Sequence, residues 1–404
     1  QLFAAFLLLA VGALWLTSCS SEDAVQGSGS QADASLTLTI NTGKVGSRAT
    51  AWDGTNSPTT TQENTINRLT VGIFDASTKK VKTIVELTSA PTGGNSLSVS
   101  GNTATATIVT TSLATGDDVL VAANAPAGNF AGVADETGFN AKTEGIESAV
   151  LSSSDNTKEI NNNIPMYGAS TLNGSGSAFT ATVSVQHQLA KITLDNLSVD
   201  FAQDGPYKSA TFKPTEFFLV NVPENLAFNT AAVNGTNHFH GCNIASSDYS
   251  SLSWINSLPS NWGSYKEFLA TGALSGSALS GIASSGTEKY GSKSFFYVTP
   301  STDVTDDGKM KLIIAGDFDA NGSGTTEKVF YPVAINATYD AAGNATAADG
   351  GTVFQVSPNK NYKCTVVIKT KGTTDPTKNL DPQTATVTVT VTDFVDASQT
   401  TTFE

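Results

Sequence analysis

Ala385-Thr386-Val387-Thr388-Val389-Thr390-Val391-Thr392 carries an apolar or methyl side chain at every second position and a hydroxyl at each position between. Successive side chains of a β-strand point to opposite faces, so this stretch reads as a strand with one face in a core and the other in water. The same design stands near the other end of the chain, where Leu36, Leu38 and Ile40 alternate with Thr37 and Thr39. Between the two, short β-branched or aromatic runs recur, separated by Gly, Asn, Asp, Ser and Pro clusters, and no long segment has helical periodicity. Strands are expected over 69–74, 81–87, 103–109, 119–123, 179–185, 190–197, 217–222, 295–298, 309–315, 328–335, 362–369 and 385–392. Short strands at this spacing predict an all-β fold of β-sandwiches.

The chain has 404 residues, enough for two or three domains that each bury a core, two being the simpler division. A boundary is expected near His187, where one Ser/Gly-rich hairpin ends and Leu189-Ala190-Lys191-Ile192 begins. Residues 237–292 are poor in strand signal and rich in Ser and Gly, which reads as an insertion with short helical turns. Its Trp254 and Trp262 either pack that loop onto a sandwich or line a binding face. Formal charge is −14 from 22 basic and 36 acidic residues, and no Lys/Arg cluster reverses it locally, which excludes a nucleic-acid partner. Three cysteines, Cys19, Cys242 and Cys364, are too few for a disulfide scaffold, although the last two could pair outside the cytoplasm.

Residues 2–18 are almost wholly apolar and lead to Leu16-Thr17-Ser18-Cys19. No initiating Met or basic segment precedes them, so residues 1–18 read as a signal peptide with a truncated start. The four residues resemble a bacterial lipobox, which makes Cys19 the expected acylation site. Residues 20–34 are mostly Ser, Gly, Gln and Asp and read as a tether. Arg48, followed by Ala49, lies in loop chemistry after the first strand. Apart from Arg68, which directly precedes an expected strand, it is the only arginine, so an arginine-directed protease has one good site. A cut there removes tether and first strand together, and the edge left open can take a strand from a neighbouring copy by β-augmentation. The alternative is that both end segments are ordinary strands of a monomer.

Catalytic chemistry is poorly supplied. Only His187, His238 and His240 offer an imidazole, and no H-E-x-x-H, P-loop, C-x-x-C or nucleophile-elbow pattern occurs. His238-Phe239-His240-Gly241-Cys242 has the makings of a metal half-site without further ligands. Asp317-Phe318-Asp319-Ala320-Asn321-Gly322 mimics the start of a calcium loop, but Lys328 stands where the bidentate Glu belongs, so a hairpin turn is expected instead. No catalytic residue, metal or cofactor is assigned, and the chain reads as a non-enzyme.

Nearly the whole chain resembles the Bacteroidales fimbrillin family, the FimA- and Mfa-type major subunits of type V pili. The residues that carry the resemblance are Asn67-Arg68-Leu69-Thr70-Val71-Gly72-Ile73-Phe74-Asp75, Val121-Ala122-Ala123-Asn124-Ala125-Pro126, Ile164-Pro165-Met166-Tyr167-Gly168 and Gln188-Leu189-Ala190-Lys191-Ile192. Further on come Phe218-Leu219-Val220-Asn221-Val222-Pro223, Phe296-Tyr297-Val298-Thr299-Pro300 and Val329-Phe330-Tyr331-Pro332-Val333. One departure is His187-Gln188, where a basic residue is usual. The resemblance implies two transthyretin-like β-sandwich domains in tandem, over 49–186 and 187–404, preceded by a propeptide over 19–48 with Cys19 as the lipid site. It implies cleavage between Arg48 and Ala49 by an arginine-specific protease, removal of the Leu36/Leu38/Ile40 strand, and a donor strand within 384–404 presenting Ala385, Val387, Val389 and Val391. The expected role is a shaft subunit in a cell-surface fimbrium, made as a lipid-anchored outer-membrane precursor and serving adhesion and biofilm formation. Expected partners are further copies of the chain, minor pilus subunits, the protease, and host or bacterial surface ligands. A pilus tip adhesin and a monomeric glycan-binding surface lipoprotein are the alternatives.

Overall fold

The computed structural model describes residues 34–42, 60–145, 162–229, 238–239, 270–271, 279–280, 295–340, 342–375 and 385–393. In chain order the first strands are β1 (Ala34–Thr42), β2 (Leu69–Phe74), β3 (Val81–Leu87), β4 (Ser96–Ser100), β5 (Thr103–Thr110), β6 (Asp118–Ala123), β7 (Thr143–Gly145), β8 (Met166–Thr171), β9 (Asn173–Ser175) and β10 (Ala178–His187). Two helical turns, α1 (Thr60–Glu63) and α2 (Glu136–Asn140), interrupt them. Then follow β11 (Ala190–Val199), β12 (Thr211–Val220), β13 (Val222–Pro223), β14 (Asn225–Ala227), β15 (His238–Phe239), β16 (Ala270–Thr271), β17 (Leu279–Ser280) and β18 (Phe295–Val298). The series closes with β19 (Lys311–Asp319), β20 (Glu327–Ala334), β21 (Thr338–Tyr339), β22 (Ala345–Thr346), β23 (Lys360–Ile368) and β24 (Ala385–Asp393).

The fold is all-β, as the alternating runs predict. One sheet runs in the order β3-β2-β6-β8-β10-β1-β5-β4, with β9 beside β10. Its β10-β1-β5 part turns Leu36, Leu38, Ile40, Ala106, Ile108 and Val183 inward onto Val71, Ile73, Val119 and Val121 of β2 and β6, which closes a sandwich. Strands β2 and β6 are covered on their other face as well, by Phe130 and Phe139 around α2 and by Phe228. Hence β2 is apolar at nearly every position instead of alternating. In the second half the β18-β11-β23-β24 sheet faces the sheet ordered β16-β12-β19-β20, and Leu194, Phe212, Tyr297, Leu312, Ile314, Tyr331 and Tyr362 fill the space between.

Three buried asparagines recur where apolar strands end. Asn124, Asn221 and Asn336 each adopt positive φ, of 60, 63 and 56°. The left-handed region suits Asn because its short amide bonds locally. Asn124 donates to the carbonyls of Thr65 and Ile164, Asn221 to those of Asp307 and Lys309, and Asn336 to those of Thr352 and Gln355. Each side chain thereby pins a loop that would otherwise leave buried backbone groups unpaired. Gly168 answers a different need: a Cβ there would run into the Ser184 carbonyl and Val183 of β10.

The expected strand over 217–222 is corrected in its bounds. Strand β12 starts six residues earlier, at Thr211, and passes through Pro214. The register of β12 against β19 shifts between Pro214 and Glu216, a bulge that spares the ladder the missing proline N–H. Within 237–292, the described residues are the strand pieces β15, β16 and β17, the first paired with β13 and the others with β12, so none of the expected helical turns falls among them.

Candidate functional site

Strand β1, which carries Leu36, Leu38 and Ile40, lies inside its sheet and is paired on both sides. It runs parallel to β10, with Leu36, Leu38 and Ile40 opposite Phe179, Ala181 and Val183. It runs antiparallel to β5, where the partners are Ile108, Ala106 and Ala104. All three side chains are fully buried, and burying each contributes about 1.5–3 kcal/mol. Leu38 stands between two alanines, so it fills space that its neighbours leave open. On the outer face Thr37 sits between Thr107 and Thr180, and Thr39 between Thr105 and Thr182, an uncharged array that fits the low charge content. Taking β1 away would bare two strand edges and an apolar slot lined by Ala104, Ala106, Ile108, Phe179, Ala181 and Val183.

Strand β24, with Ala385, Val387, Val389 and Val391, is at the end of its sheet. It pairs antiparallel with β23 along its whole length, from Lys360 opposite Asp393 to Ile368 opposite Ala385. Ala385 and Val389 are buried in the second core, and Thr388 is exposed. These three residues agree with a period-two pattern, and in the single chain the strand packs on its own sandwich. Among the described residues its ladder is one-sided, whereas that of β1 is two-sided.

A buried polar node joins the two halves of the chain. Glu63, at the end of α1, accepts hydrogen bonds on one carboxylate oxygen from Lys191 Nζ of β11 (2.9 Å) and from the Tyr297 hydroxyl of β18 (2.6 Å). The Lys191 ammonium also lies 4.4 Å from the centre of the Phe295 ring. The His187 Nε2–H donates to the Glu63 carbonyl (2.9 Å), while Nδ1 lies 3.2 Å from the side-chain amide of Asn359. The departure at His187-Gln188 thus supplies a link between the end of β10, the residue before β23, and α1.

Burial pushes the His187 imidazole below its ordinary pKa of 6.5, against the opposing pull of the Glu63 carbonyl and carboxylate and with the aid of the Lys191 charge. The unfolded chain then binds the proton more readily than the folded one. Stability from this group is present above about pH 6.5 and is lost as pH falls toward the folded-state pKa, by at most about 1.4 kcal/mol per pH unit. We expect the urea midpoint to fall between pH 7.5 and 5, and His187→Gln to flatten that part of the profile. An equally steep profile in the variant would assign the acid sensitivity elsewhere.

Cys19, Arg48 and Ala49 lie outside the described residues, as do His240, Cys242, Trp254 and Trp262. Arg68 is half-buried, and its carbonyl accepts the Asn124 N–H. The Asp317–Gly322 loop is the β19–β20 hairpin. Asp319 Oδ1 accepts the N–H groups of Asn321, Gly322 and Ser323, and Oδ2 accepts that of Gly324 at 2.6 Å. These bonds, Gly324's first, hold its carboxyl below the usual range and occupy the lone pairs a cation would need. Among the described residues no three His, Cys, Asp or Glu side chains gather as metal ligands.

Residues 34–196 match the family of major fimbrial subunit proteins (FimA). No curated protein matches the sequence. Solved structures match over most of the chain. A protein of Bacteroides eggerthii described as a cell adhesion protein is 21% identical, with a TM-score of 0.57 over 90% of this chain and 96% of its own. Another so described, from Parabacteroides distasonis, is 13% identical, with a TM-score of 0.60 over 91% and 98%. The fimbrilin (fimA) of Porphyromonas gingivalis is 17% identical, with a TM-score of 0.55 over 91% and 99%. Residues 34–196 are thus similar to the major fimbrial subunit (FimA) family, and the chain has the fold of solved fimbrilin.

Proposed function

We propose that the chain is a structural shaft subunit of a type V pilus at the cell surface, serving adhesion and not catalysis. In this reading it is exported as a lipoprotein acylated on Cys19, anchored to the outer membrane as a precursor, and cut between Arg48 and Ala49 by an arginine-specific protease. Copies then join when the 384–404 segment of one fills the β1 slot of the next. Residues 49–186 and 187–404 act as two transthyretin-like sandwiches, with 237–292 as an insertion in the second. The fimbrial family of residues 34–196 and the fold shared with fimbrilin support the structural role.

The observation that carries the assembly step is the place of β1. A strand in the middle of a sheet, with Arg48 six residues beyond its end, is one whose loss leaves a two-sided template. A head-to-tail contact of this kind does not close on itself and propagates as a filament. A brief digestion with an arginine-specific protease tests it. The expected product starts at Ala49 and forms SDS-resistant ladders and filaments under the electron microscope, and deletion of 384–404 abolishes both. A cut chain that stays monomeric, or filaments from the deleted chain, would sink the assembly step.

A further inference from the structure

The geometry points to Val389 as the residue that reads the slot, seated between Ala106 and Ala181 where Leu38 sits in the uncut chain, with β24 in the register that puts Ala385 in the place of Ala34. The inference rests on the strand-exchange reading above. Both strands are nine residues long and both begin with alanine. The slot-facing residues of β1 are Ala34, Leu36, Leu38, Ile40 and Thr42. Superposed on them, β24 supplies Ala385, Val387, Val389, Val391 and Asp393, and sets Thr386, Thr388, Thr390 and Thr392 on the outer face, where β1 has Ser35, Thr37, Thr39 and Asn41.

Other registers fail on chemistry. A slip of one residue turns four threonines into the core. The Thr42 position that Asp393 takes in this register is buried but polar, at the strand end beside the Asn102 carbonyl. A slip of two in one direction carries the carboxylate on to the Ile40 position, inside the apolar wall. A slip of two in the other sets Ala385 at Leu36 and Gln383 at Ala34. The direction of β1 is kept because parallel and antiparallel ladders place their hydrogen bonds differently, and β10 and β5 are already set for one of each.

The fit is also looser than that of β1. Val387 and Val389 replace leucines, each one methylene smaller, and Val391 replaces Ile40, again one smaller. Leaving β23 gives up a ladder that is one-sided among the described residues, together with the burial of Ala385 and Val389 in the second core. Entering the slot once β1 is gone forms a two-sided ladder and buries the same face again. While β1 is present, its better filling holds the slot. Val389 meets the least yielding part of it, because alanines on both flanks have no side chain to move into a void.

Paired cysteines test the register in the full chain cut after Arg48, on a Cys242→Ser background. In this register Thr388 faces Thr107 of the next copy. We expect T388C with T107C to give reducible head-to-tail ladders and T388C with T103C to give none. We also expect Val389→Leu filaments to release subunits several-fold more slowly in denaturant, and Val389→Ala filaments faster. Linkage through T103C instead, or filaments that form without linkage to either, would overturn the register while leaving strand exchange standing. Filaments indifferent to residue 389 would overturn its role. A cut wild-type chain that forms no filaments would overturn both this inference and the exchange beneath it.

Discussion

Leu38→Ala is expected to destabilise the uncut chain by about 3–5 kcal/mol, toward the upper end of what such truncations cost in a core. The size follows from the surroundings. Leu38 is fully buried, and its two cross-strand neighbours, Ala106 and Ala181, are themselves held in continuous ladders. The Ala106 backbone cannot close on the void without disturbing its pairing with Leu97 on the far side, and neither alanine has side-chain atoms to spare for it. Leu36→Ala should cost less, because Ile108 and Phe179 beside it have freedom to repack. Urea unfolding at neutral pH measures both. A loss under about 1 kcal/mol for Leu38→Ala would mean that β1 is loosely held, and the sheet would then owe little to it. In the cut chain, on the assembly reading, the same substitution has no effect, because residue 38 has left.

How much of this was legible in the sequence depends on what kind of fact is asked for. Strands β2, β3 and β18 fall where their runs place them, since β-branched and aromatic residues bounded by turn chemistry leave little choice. Alternation also marks which residues of β1 face a core, and agrees with the burial of Ala385 and Val389 in β24. It cannot say whether a strand is paired on one edge or two, because that depends on strands distant in sequence, and here it separates β1 from β24. Strand β8 lacks a β-branched run and contains Gly168, which weakens its strand signal, yet that glycine is what lets β8 approach β10. The early start of β12 was hidden by Pro214 for the same kind of reason. The asparagines that end three apolar strands do have a signal, in Val121-Ala122-Ala123-Asn124, Phe218-Leu219-Val220-Asn221 and Val333-Ala334-Ile335-Asn336, read above as family motifs in two cases and without a physical role. The Glu63 node left none, since Glu63 and Lys191 are 128 residues apart and α1 is four residues long.

That node is where a single polar substitution should be most damaging. Glu63 and Lys191 are almost wholly buried, with side chains 5% and 12% exposed. Removing one partner of such a pair takes the main compensating charge from the other in a low-dielectric site, which typically costs about 3–5 kcal/mol. Glu63→Ala should therefore lose that much, and it also frees the Tyr297 hydroxyl of its 2.6 Å acceptor. Lys191→Met should be milder than Glu63→Ala, since Met can lie on the Phe295 ring that the lysine now covers. The double variant Glu63→Gln with Lys191→Met removes both charges and keeps an amide acceptor for Tyr297, so it should recover most of the loss. Urea midpoints of the wild-type, Glu63→Gln, Lys191→Met and double-variant chains form a double-mutant cycle, and strong coupling is the expected result. Additive losses would mean that the two charges are hydrated separately and that packing alone holds α1 to β11 and β18. Strong coupling would make the ion pair the fastening between α1 and the second half of the chain. Glu63 lies fifteen residues past Arg48, so this fastening would remain in place after a cut there.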